Sequence, residues 1–341
     1  MRLFSRKSCA PTPKNRRAGF WRGLGNSVYV LLLAAGTAWA ATALSFHIDG
    51  TALILAETGL AILALSCLYA RTRARRAGWA GLALATLLIA GWYQTIRPSQ
   101  DRTWAFDVAH GVAPVVNGDQ VTLNNVRAFR WTDDSHADQA WVSHTYDLTK
   151  LASIDMLTST WGNPDIAHLL VSFGFSDGQR VVFSVEIRKE SHESFSSIGG
   201  FFREFEQVLI AAEEEDIIKL RTNYRDEDVH LYPIRLDTAG MRQMFMAYVG
   251  LGQKLQAKPA FYNTLTANCT TTVYQLAQRI NPDMPFDIRL IKSGGLPGYL
   301  ADLGGLQGDL TPEDRFKRSA ITQLARSSTD ADFSRTIRRL N

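Results

Sequence analysis

One cysteine lies where a polar stretch of the chain changes into an amphipathic helix. The stretch is FYNTLTANCTTTVYQLAQRI, from Phe261 to Ile280, and apolar residues recur at helical spacing after its cysteine, at Val273, Leu276, Ala277 and Ile280. Asn268 is a residue type that caps helix N-termini, so the pattern predicts Cys269 in the first helical turn. Unpaired N–H groups and the helix dipole at that position lower the pKa of a thiol and can bind an oxyanion. Cys269 is therefore a candidate nucleophile, and a small buried apolar residue is the competing interpretation.

A thiolate nucleophile needs a base, and the base needs a group that orients it. The segment AHLLVSFGFSDGQRVVFSVEIR, residues 167–188, alternates apolar and mixed positions on both sides of a turn and predicts a β-hairpin. A three-residue loop, Ser176 to Gly178, keeps the apolar faces together and puts glycine where a left-handed conformation is needed. In that register His168 lies opposite Glu186, with Cβ atoms about 5 Å apart. The pattern predicts His168 as a base oriented by Glu186, and an ordinary cross-strand pair on a solvated face is the alternative.

Other polar residues near these positions have two interpretations each. Asn268 either donates to an oxyanion through its side chain or only caps the helix. Arg188 and Lys189 either bind a lipid phosphate or substrate carboxylate, or form a solvated basic strand end. Tyr262 and Asn263 either line the site or pack in the core. Because no cofactor motif and no metal-ligand spacing occurs in the sequence, we expect neither a cofactor nor a metal site.

Several stretches around these residues resemble one known family. They are TYDLTKL, WGNPDIAHLLVSFGF, FSVEIRKE, GFFREFE, EEEDIIKLRTNYR and FYNTLTANCTT. Together they resemble the Lnb N-terminal periplasmic domain family from about Val121 to about Leu300. That family is named after a lipoprotein N-acyltransferase, which moves an acyl chain from the lipid on a lipoprotein's N-terminal cysteine to the amino group of that cysteine. It is similar to circularly permuted, NlpC-type papain-like thiol enzymes, in which His precedes Cys in the chain.

The resemblance implies a fold and a set of roles. The fold is a permuted papain-like domain with an antiparallel sheet packed against helices. Cys269 is implied as the nucleophile, His168 as the base and Glu186 as the third polar residue. A membrane lipid or a lipoprotein is the implied substrate, although the resemblance does not determine which.

The first hundred residues have the composition of a membrane anchor. Residues 1–26 contain no acidic side chain and several basic ones: Arg2, Arg6, Lys7, Lys14, Arg16, Arg17 and Arg22. Three apolar runs follow that are long enough to span a bilayer, at residues 27–46, 52–70 and 79–96. A signal peptide cut after residue 40 is a competing interpretation of the first run.

Charge around these runs predicts their orientation. The turn between the second and third runs is RTRARR, whereas the turn between the first two, HIDGT, has no Lys or Arg. By the positive-inside rule the N-terminus and RTRARR lie in the cytoplasm, and the chain after residue 96 lies in the periplasm. We therefore expect a multi-pass inner-membrane protein with the lipid bilayer as partner. Nucleic acid is not an expected partner, because the basic residues concentrate in the cytoplasmic segments.

The rest of the chain predicts an α+β domain. Residues 119–131 alternate like a strand, residues 200–220 and 240–257 have helical spacing, and strands and helices do not alternate along the chain. We place the periplasmic domain at residues 97–305, followed by a polar, basic tail at residues 306–341 that is helical in pieces.

These features lead to three functional hypotheses. The first is a membrane-anchored cysteine acyltransferase or acyl hydrolase that passes through an acyl-thioester. The second applies the same Cys–His chemistry to an amide in a peptidoglycan peptide. The third is a non-catalytic, membrane-tethered binding domain that has kept the pocket.

Overall fold

The computed structural model describes residues 13–329 and 332–339. The chain divides into two compact units, one up to Arg97 and one from Pro98 onward. The first twelve residues of the predicted basic segment, with Arg2, Arg6 and Lys7, lie outside the described residues.

The N-terminal unit consists of the helices α1 (Pro13–Ser45), α2 (Gly50–Arg73) and α3 (Arg75–Tyr93). Two helical segments in the described part of the chain are long and apolar enough to cross a membrane, Gly23–Ser45 within α1 and the whole of α2. The third predicted run also forms a helix, but α3 has 19 residues and begins with two arginines, which shortens its apolar part. The predicted count of three spans is therefore corrected to two candidate spans.

The second unit contains the strands and the remaining helices. The strands are β1 (Ala113–Asn117), β2 (Gln120–Arg127), β3 (Arg130–Trp131), β4 (Ala137–Asp138), β5 (Trp141–Asp147), β6 (Leu151–Thr160), β7 (Ala167–Phe175), β8 (Arg180–Arg188), β9 (Glu206–Ala212) and β10 (Asp228–Pro233). The helices are α4 (Glu214–Lys219), α5 (Thr238–Ala257), α6 (Cys269–Ala277), α7 (Leu296–Asp302), α8 (Pro312–Ser319), α9 (Thr322–Ser327) and α10 (Phe333–Thr336).

The main sheet has the strand order β1-β2-β9-β8-β7-β6-β10, with β5 also paired to β2. Its neighbours are antiparallel except for β2 and β9, which run parallel. The α+β class is thus confirmed, but the sheet is mixed rather than antiparallel. The permuted papain-like arrangement stays a prediction.

One predicted helix is wrong. The helix expected at residues 200–220 is in fact β9 followed by the short helix α4. All seven residues of β9 are buried, since the strand lies inside the sheet between β2 and β8. A short apolar run buried on both faces has no alternation that distinguishes a strand from a helix, so tertiary burial decided its conformation.

Helices cover both faces of the sheet. On one face Phe173 and Phe183 of the hairpin pack with Phe245 and Tyr248 of α5 and with Leu276 of α6. On the other face, residues of α4, α9 and α10 complete a second apolar cluster with β7, β8 and β9: Ile217, Ala325 and Phe333 against Leu170, Val182 and Ile210.

The C-terminal segment belongs to this domain. Ile321 and Ile337 are fully buried in the second cluster, and the Ile321 N–H donates to Val229 O of β10 at 3.0 Å. The Arg338 guanidinium bonds the buried carboxylates of Asp155 and Glu214. The helical pieces predicted for residues 306–341 are present as α8, α9 and α10, and sparse apolar residues of this segment complete the core.

The hairpin of β7 and β8 has the predicted register. Val171 pairs with Phe183, and Gly178 closes the loop with a φ of +91°. The backbone pairing between the two strands starts at Leu170 and Ser184, so His168 and Glu186 lie just beyond its end. Helix α6 contacts both strands, which brings the predicted nucleophile toward the predicted base.

Candidate functional site

The start of α6 is fixed by a complete capping box. The Asn268 side-chain oxygen accepts from the backbone N–H groups of Thr270 at 2.9 Å and Thr271 at 2.8 Å. In return the Thr271 hydroxyl accepts from the Asn268 N–H at 3.0 Å, and Asn268 Nδ2 donates to Thr264 O at 2.7 Å. Of the two roles left open for Asn268, the structure shows the cap, and its side chain is committed to holding the loop and the helix together.

The loop before α6 is shaped by Asn263 and anchored by the sheet. The Asn263 side-chain oxygen accepts from the N–H groups of Leu265 and Thr266 at 3.1 and 3.0 Å, so Asn263 holds the turn. From β9, Gln207 Nε2 donates to Ala267 O at 3.1 Å and to the Thr272 hydroxyl at 2.9 Å. Strand β9, which the sequence pattern predicts as a helix, therefore helps to position Cys269.

The structure brings Cys269 and His168 into direct contact. The His168 side chain and the Leu169 N–H lie close enough to the Cys269 thiol to lower its pKa, and the thiol lies 3.8 Å from the Thr270 hydroxyl. Burial alone would raise the pKa of the thiol, but the charge and hydrogen bond of His168 outweigh it, and the pKa of Cys269 falls below its ordinary value.

A carboxylate and a hydroxyl hold the imidazole from its other side. His168 Nε2 lies 3.1 Å from Glu186 Oε1 and 2.7 Å from the Ser184 hydroxyl, which itself donates to Glu186 Oε1 at 2.7 Å. Because Nε2 faces these groups, the other ring nitrogen, Nδ1, is left for Cys269. Burial alone would lower the pKa of His168, but Glu186 and then Cys269 raise it to about 9. The predicted opposition of His168 and Glu186 is realised.

An arginine that sequence reasoning missed neutralises Glu186. Arg221 Nη2 donates to Glu186 Oε1 at 3.0 Å, and Arg221 Nη1 donates to Ile217 O at 3.1 Å. Burial alone would raise the pKa of Glu186, but His168 and then Arg221 and Ser184 hold it well below its ordinary range. Ser184 lies two residues from Glu186 on the same strand face, so alternation carried a signal for it. Arg221 is brought in by a π-helical turn, Leu220–Tyr224, and no local pattern pointed to it.

These shifts favour a charged pair. Against the opposing effect of burial, His168 lowers the pKa of Cys269, and Glu186 and then Cys269 raise the pKa of His168. Both shifts favour the thiolate and the imidazolium forms. A thiolate is the nucleophilic form of cysteine and needs no prior proton transfer.

Tyr262 offers a donor beside the thiol. Tyr262 lines the same cavity as His168 and Glu186, and its hydroxyl is close enough to Cys269 for each to influence the other's charge. Burial, then the nearby Cys269 and Glu186, raise the pKa of Tyr262, so the hydroxyl keeps its proton and can donate it to an oxyanion. Of the two roles open for Tyr262, the geometry favours lining the site.

A cavity of about 330 Å³ adjoins this array and is lined by His168, Glu186 and Tyr262. Trp161 and Phe195, 48 % and 59 % exposed, lie at its edge. The other charged side chains of its wall are of both signs: Arg127, Lys189, Arg221 and Arg225 with Asp107 and Glu227. This polar cavity borders His168 and Tyr262, two side chains next to Cys269.

Of the two basic residues predicted to bind substrate, the structure places only Lys189 in the wall of the polar cavity. The Arg188 guanidinium instead donates to Val108 O at 3.1 Å and to Ala109 O at 2.6 Å, and it stacks on Trp104. Arg188 thus fastens the N-terminal segment of the domain to β8, and its predicted substrate contact is corrected. Within residues 13–329 and 332–339, no group of three His, Cys, Asp or Glu side chains is placed to hold a metal ion.

Comparison with known proteins agrees with the resemblance of the sequence. The model of one family, the Lnb N-terminal periplasmic domain, matches residues 137–294, a range that contains His168, Glu186 and Cys269. No curated protein and no solved structure matches the chain.

Proposed function

We propose that this chain, whose residues 137–294 form an Lnb N-terminal periplasmic domain, is a membrane-anchored cysteine acyltransferase or acyl hydrolase acting on a lipid or lipoprotein. One observation supports the proposal: Cys269 at a helix start lies beside the largely buried imidazole of His168, which Glu186 contacts from the other side, and Arg221 in turn binds Glu186. A buried ion pair of this kind is costly to maintain, and it supplies the nucleophile and proton donor that acyl transfer needs.

The reaction follows from the positions of these groups. The Cys269 thiolate attacks the carbonyl carbon of an ester, a C–S bond forms, and the carbonyl electron pair moves onto oxygen, where the Tyr262 hydroxyl donates to it. When the carbonyl re-forms, the C–O bond breaks and the leaving alkoxide takes the proton of the His168 imidazolium. The product is an acyl-thioester on Cys269. An amine or water then attacks that thioester, neutral His168 accepts its proton, and the thiolate is released.

The anchor places this chemistry at a membrane. The periplasmic domain family and the two candidate spans indicate an inner-membrane protein. As part of the proposal we retain the predicted orientation, in which the N-terminus and the basic turn at residues 71–76 face the cytoplasm; it requires that α3, although it is not one of the two candidate spans, also crosses the membrane. Cysteines introduced at Asp49, Arg73 and Gln94 test it in intact spheroplasts with a membrane-impermeant maleimide. Reaction at Asp49 and Gln94 but not at Arg73 is expected, and the reverse pattern would overturn the orientation.

Intact-mass spectrometry of protein purified from its own membranes tests the activity. Wild type should carry an adduct of fatty-acyl mass that neutral hydroxylamine removes, because thioesters are cleaved under those conditions. Cys269→Ala should lack the adduct, whereas Cys67→Ala, which removes a buried cysteine of α2, should keep it. An adduct that persists in Cys269→Ala would refute the mechanism.

The polar cavity supports a second candidate, the cleavage of an amide in a peptidoglycan peptide. Its wall combines Lys189 and Arg225 with Asp107 and Glu227, and charges of both signs suit a peptide that carries carboxylates and amines. Incubating purified cell wall with the full-length protein in nanodiscs distinguishes the candidates. Released muropeptides that depend on Cys269 would favour the amidase. A thiol of ordinary alkylation rate with neither activity would favour the binding domain.

A further inference from the structure

A second cavity lies behind the thiol and is almost entirely apolar. It encloses about 280 Å³ between the sheet and the helices α6 and α7. Leu169 and Met156 line it from the sheet, Val273 and Ala277 from α6, and Leu300 from α7. Arg235 is the one charged side chain among the described residues of its wall, and it is half exposed.

This apolar cavity is partly open to solvent, so it is a cleft rather than a void in the core. It has room for roughly nine groups at about 30 Å³ each, on the order of a medium-length alkyl chain. Concave, mostly apolar clefts with a few polar groups are the usual form of a ligand-binding site. An apolar cleft of this kind next to a nucleophile therefore indicates a site for an apolar ligand.

Two residues, Leu169 and Thr270, both line the apolar cavity and lie next to the Cys269 thiol. The Leu169 N–H points to the Cys269 thiol, and the Leu169 side chain lines the apolar cavity. The Thr270 hydroxyl lies 3.8 Å from Cys269 Sγ, and Thr270 also lines this cavity. His168, the neighbour of Leu169 on β7, points to the polar cavity because successive side chains of a strand face opposite ways. The thiol thus lies between a polar cavity and an apolar one.

From this arrangement we infer that the apolar cavity binds the hydrocarbon chain of the acyl group that Cys269 carries. The inference rests on the proposed function and specifies its substrate class: a fatty-acyl chain rather than a peptide. The carbonyl carbon bonded to Sγ lies at the junction of the two cavities, with Tyr262 on the polar side, and the alkyl chain extends along α6 away from His168. The leaving group and the acceptor use the polar cavity.

A photo-crosslinking experiment tests chain binding without requiring turnover. Full-length Cys269→Ala in dimyristoylphosphatidylcholine nanodiscs is irradiated with a diazirine-bearing hexadecanoic acid, and the labelled peptides are identified by mass spectrometry. Labels should concentrate on the peptides that contain Leu169, Ala277 and Leu300. Excess unlabelled hexadecanoic acid should remove them.

A cavity-filling substitution provides the matched comparison. In the same background Ala277→Phe should lower cavity labelling about tenfold or more. The phenyl ring takes the place of at least two methylene groups of the bound chain, and each methylene that is not buried lowers the affinity about fourfold. Gln275→Phe adds the same side chain at an exposed position of α6 and should leave labelling unchanged. Leu300→Trp fills the cavity from the opposite wall, so the test survives if Ala277→Phe does not fold.

The outcomes separate this inference from the proposed function. If cavity labelling is present and both filling variants abolish it, chain binding is supported. If wild type then forms no thioester, only the proposed function fails. Labelling that is spread over the surface, or that persists in both filling variants while wild type forms the thioester, overturns the chain site and leaves the function standing.

Discussion

The two cavities beside Cys269 differ in every property that matters for binding. The polar cavity is lined by His168 and by charged side chains of both signs. Among the described residues, the wall of the apolar cavity contains one charged side chain, Arg235, which is half exposed. The two spaces diverge from neighbouring residues, His168 and Leu169, because a strand points successive side chains to opposite sides. Under the proposed function this difference divides the roles of the site: proton transfer takes place on the polar side of Cys269, and the hydrocarbon chain is held on the apolar side. Changes on the polar side should therefore alter rates for all acyl donors alike.

The largest effect is expected from the base. His168→Gln should lower the rate of thioester formation by about 10²–10⁴-fold, because it removes both the proton donor and the charge that stabilises the thiolate. Stopped-flow or quenched mass measurements with hexanoyl and hexadecanoyl donors should show the same loss for both. A loss confined to the long donor would contradict the division of roles between the cavities.

The next effect concerns the oxyanion. Tyr262→Phe should lower the rate by about 10²-fold, since it removes one hydrogen bond to developing negative charge and keeps the ring. The ratio of rates for short and long donors should stay at its wild-type value. An unchanged absolute rate would show that Tyr262 does not contact the oxyanion.

Arg221 tests the positioning of the base. Arg221→Met leaves Glu186 without its buried partner and should lower the free energy of unfolding by about 3 kcal/mol, the scale for breaking a buried ion pair. Chemical denaturation would measure this loss. In Arg221→Met the dependence of the Cys269 alkylation rate on pH should also shift. Loss of a residue with a purely structural role would leave that pH dependence unchanged. Arg225→Met is the control, because Arg225 lies 3.9 Å from Asp107 and is 36 % exposed, so its loss should cost far less.

The smallest effect is the pH dependence of the intact site. The pKa of His168 is raised from 6.5 to about 9, so its contribution to stability is fully present below pH 6.5 and is lost as pH rises through 9. The pKa of Cys269 is lowered from 9.0, so its contribution grows as pH rises toward 9 and offsets the loss from His168, whereas the contribution of Glu186 is fully present throughout this window. The midpoint of thermal unfolding should therefore change little from pH 6.5 to 9 in wild type and should decline over that range in Cys269→Ala, in which Glu186 still raises the pKa of His168. A matching decline in His168→Gln would show that another group is responsible.

Local patterns predicted the site well where its residues were close in sequence. Period-two alternation and the need for one apolar face determined the hairpin register, which placed His168 against Glu186. The N-cap type of Asn268 and the helical spacing after Cys269 predicted the start of α6. Patterns failed at β9, because burial there depends on which distant elements cover an apolar residue, and for the same reason they did not show that apolar residues of the C-terminal segment complete the core. They also offered Arg188 as a substrate-binding residue, whereas its guanidinium binds backbone carbonyl groups of another segment of the domain.

The sequence by itself determined the β7–β8 hairpin, the pairing of His168 with Glu186 and the capped helix that carries Cys269. Each of these depends on residue types a few positions apart, where propensity, alternation and capping act. Tertiary structure alone decided that α6 brings Cys269 to His168, that Arg221 stands behind Glu186, and that two unlike cavities meet at the thiol. These outcomes depend on contacts between residues tens of positions apart, which the packing of helices on a sheet selects and no local pattern encodes.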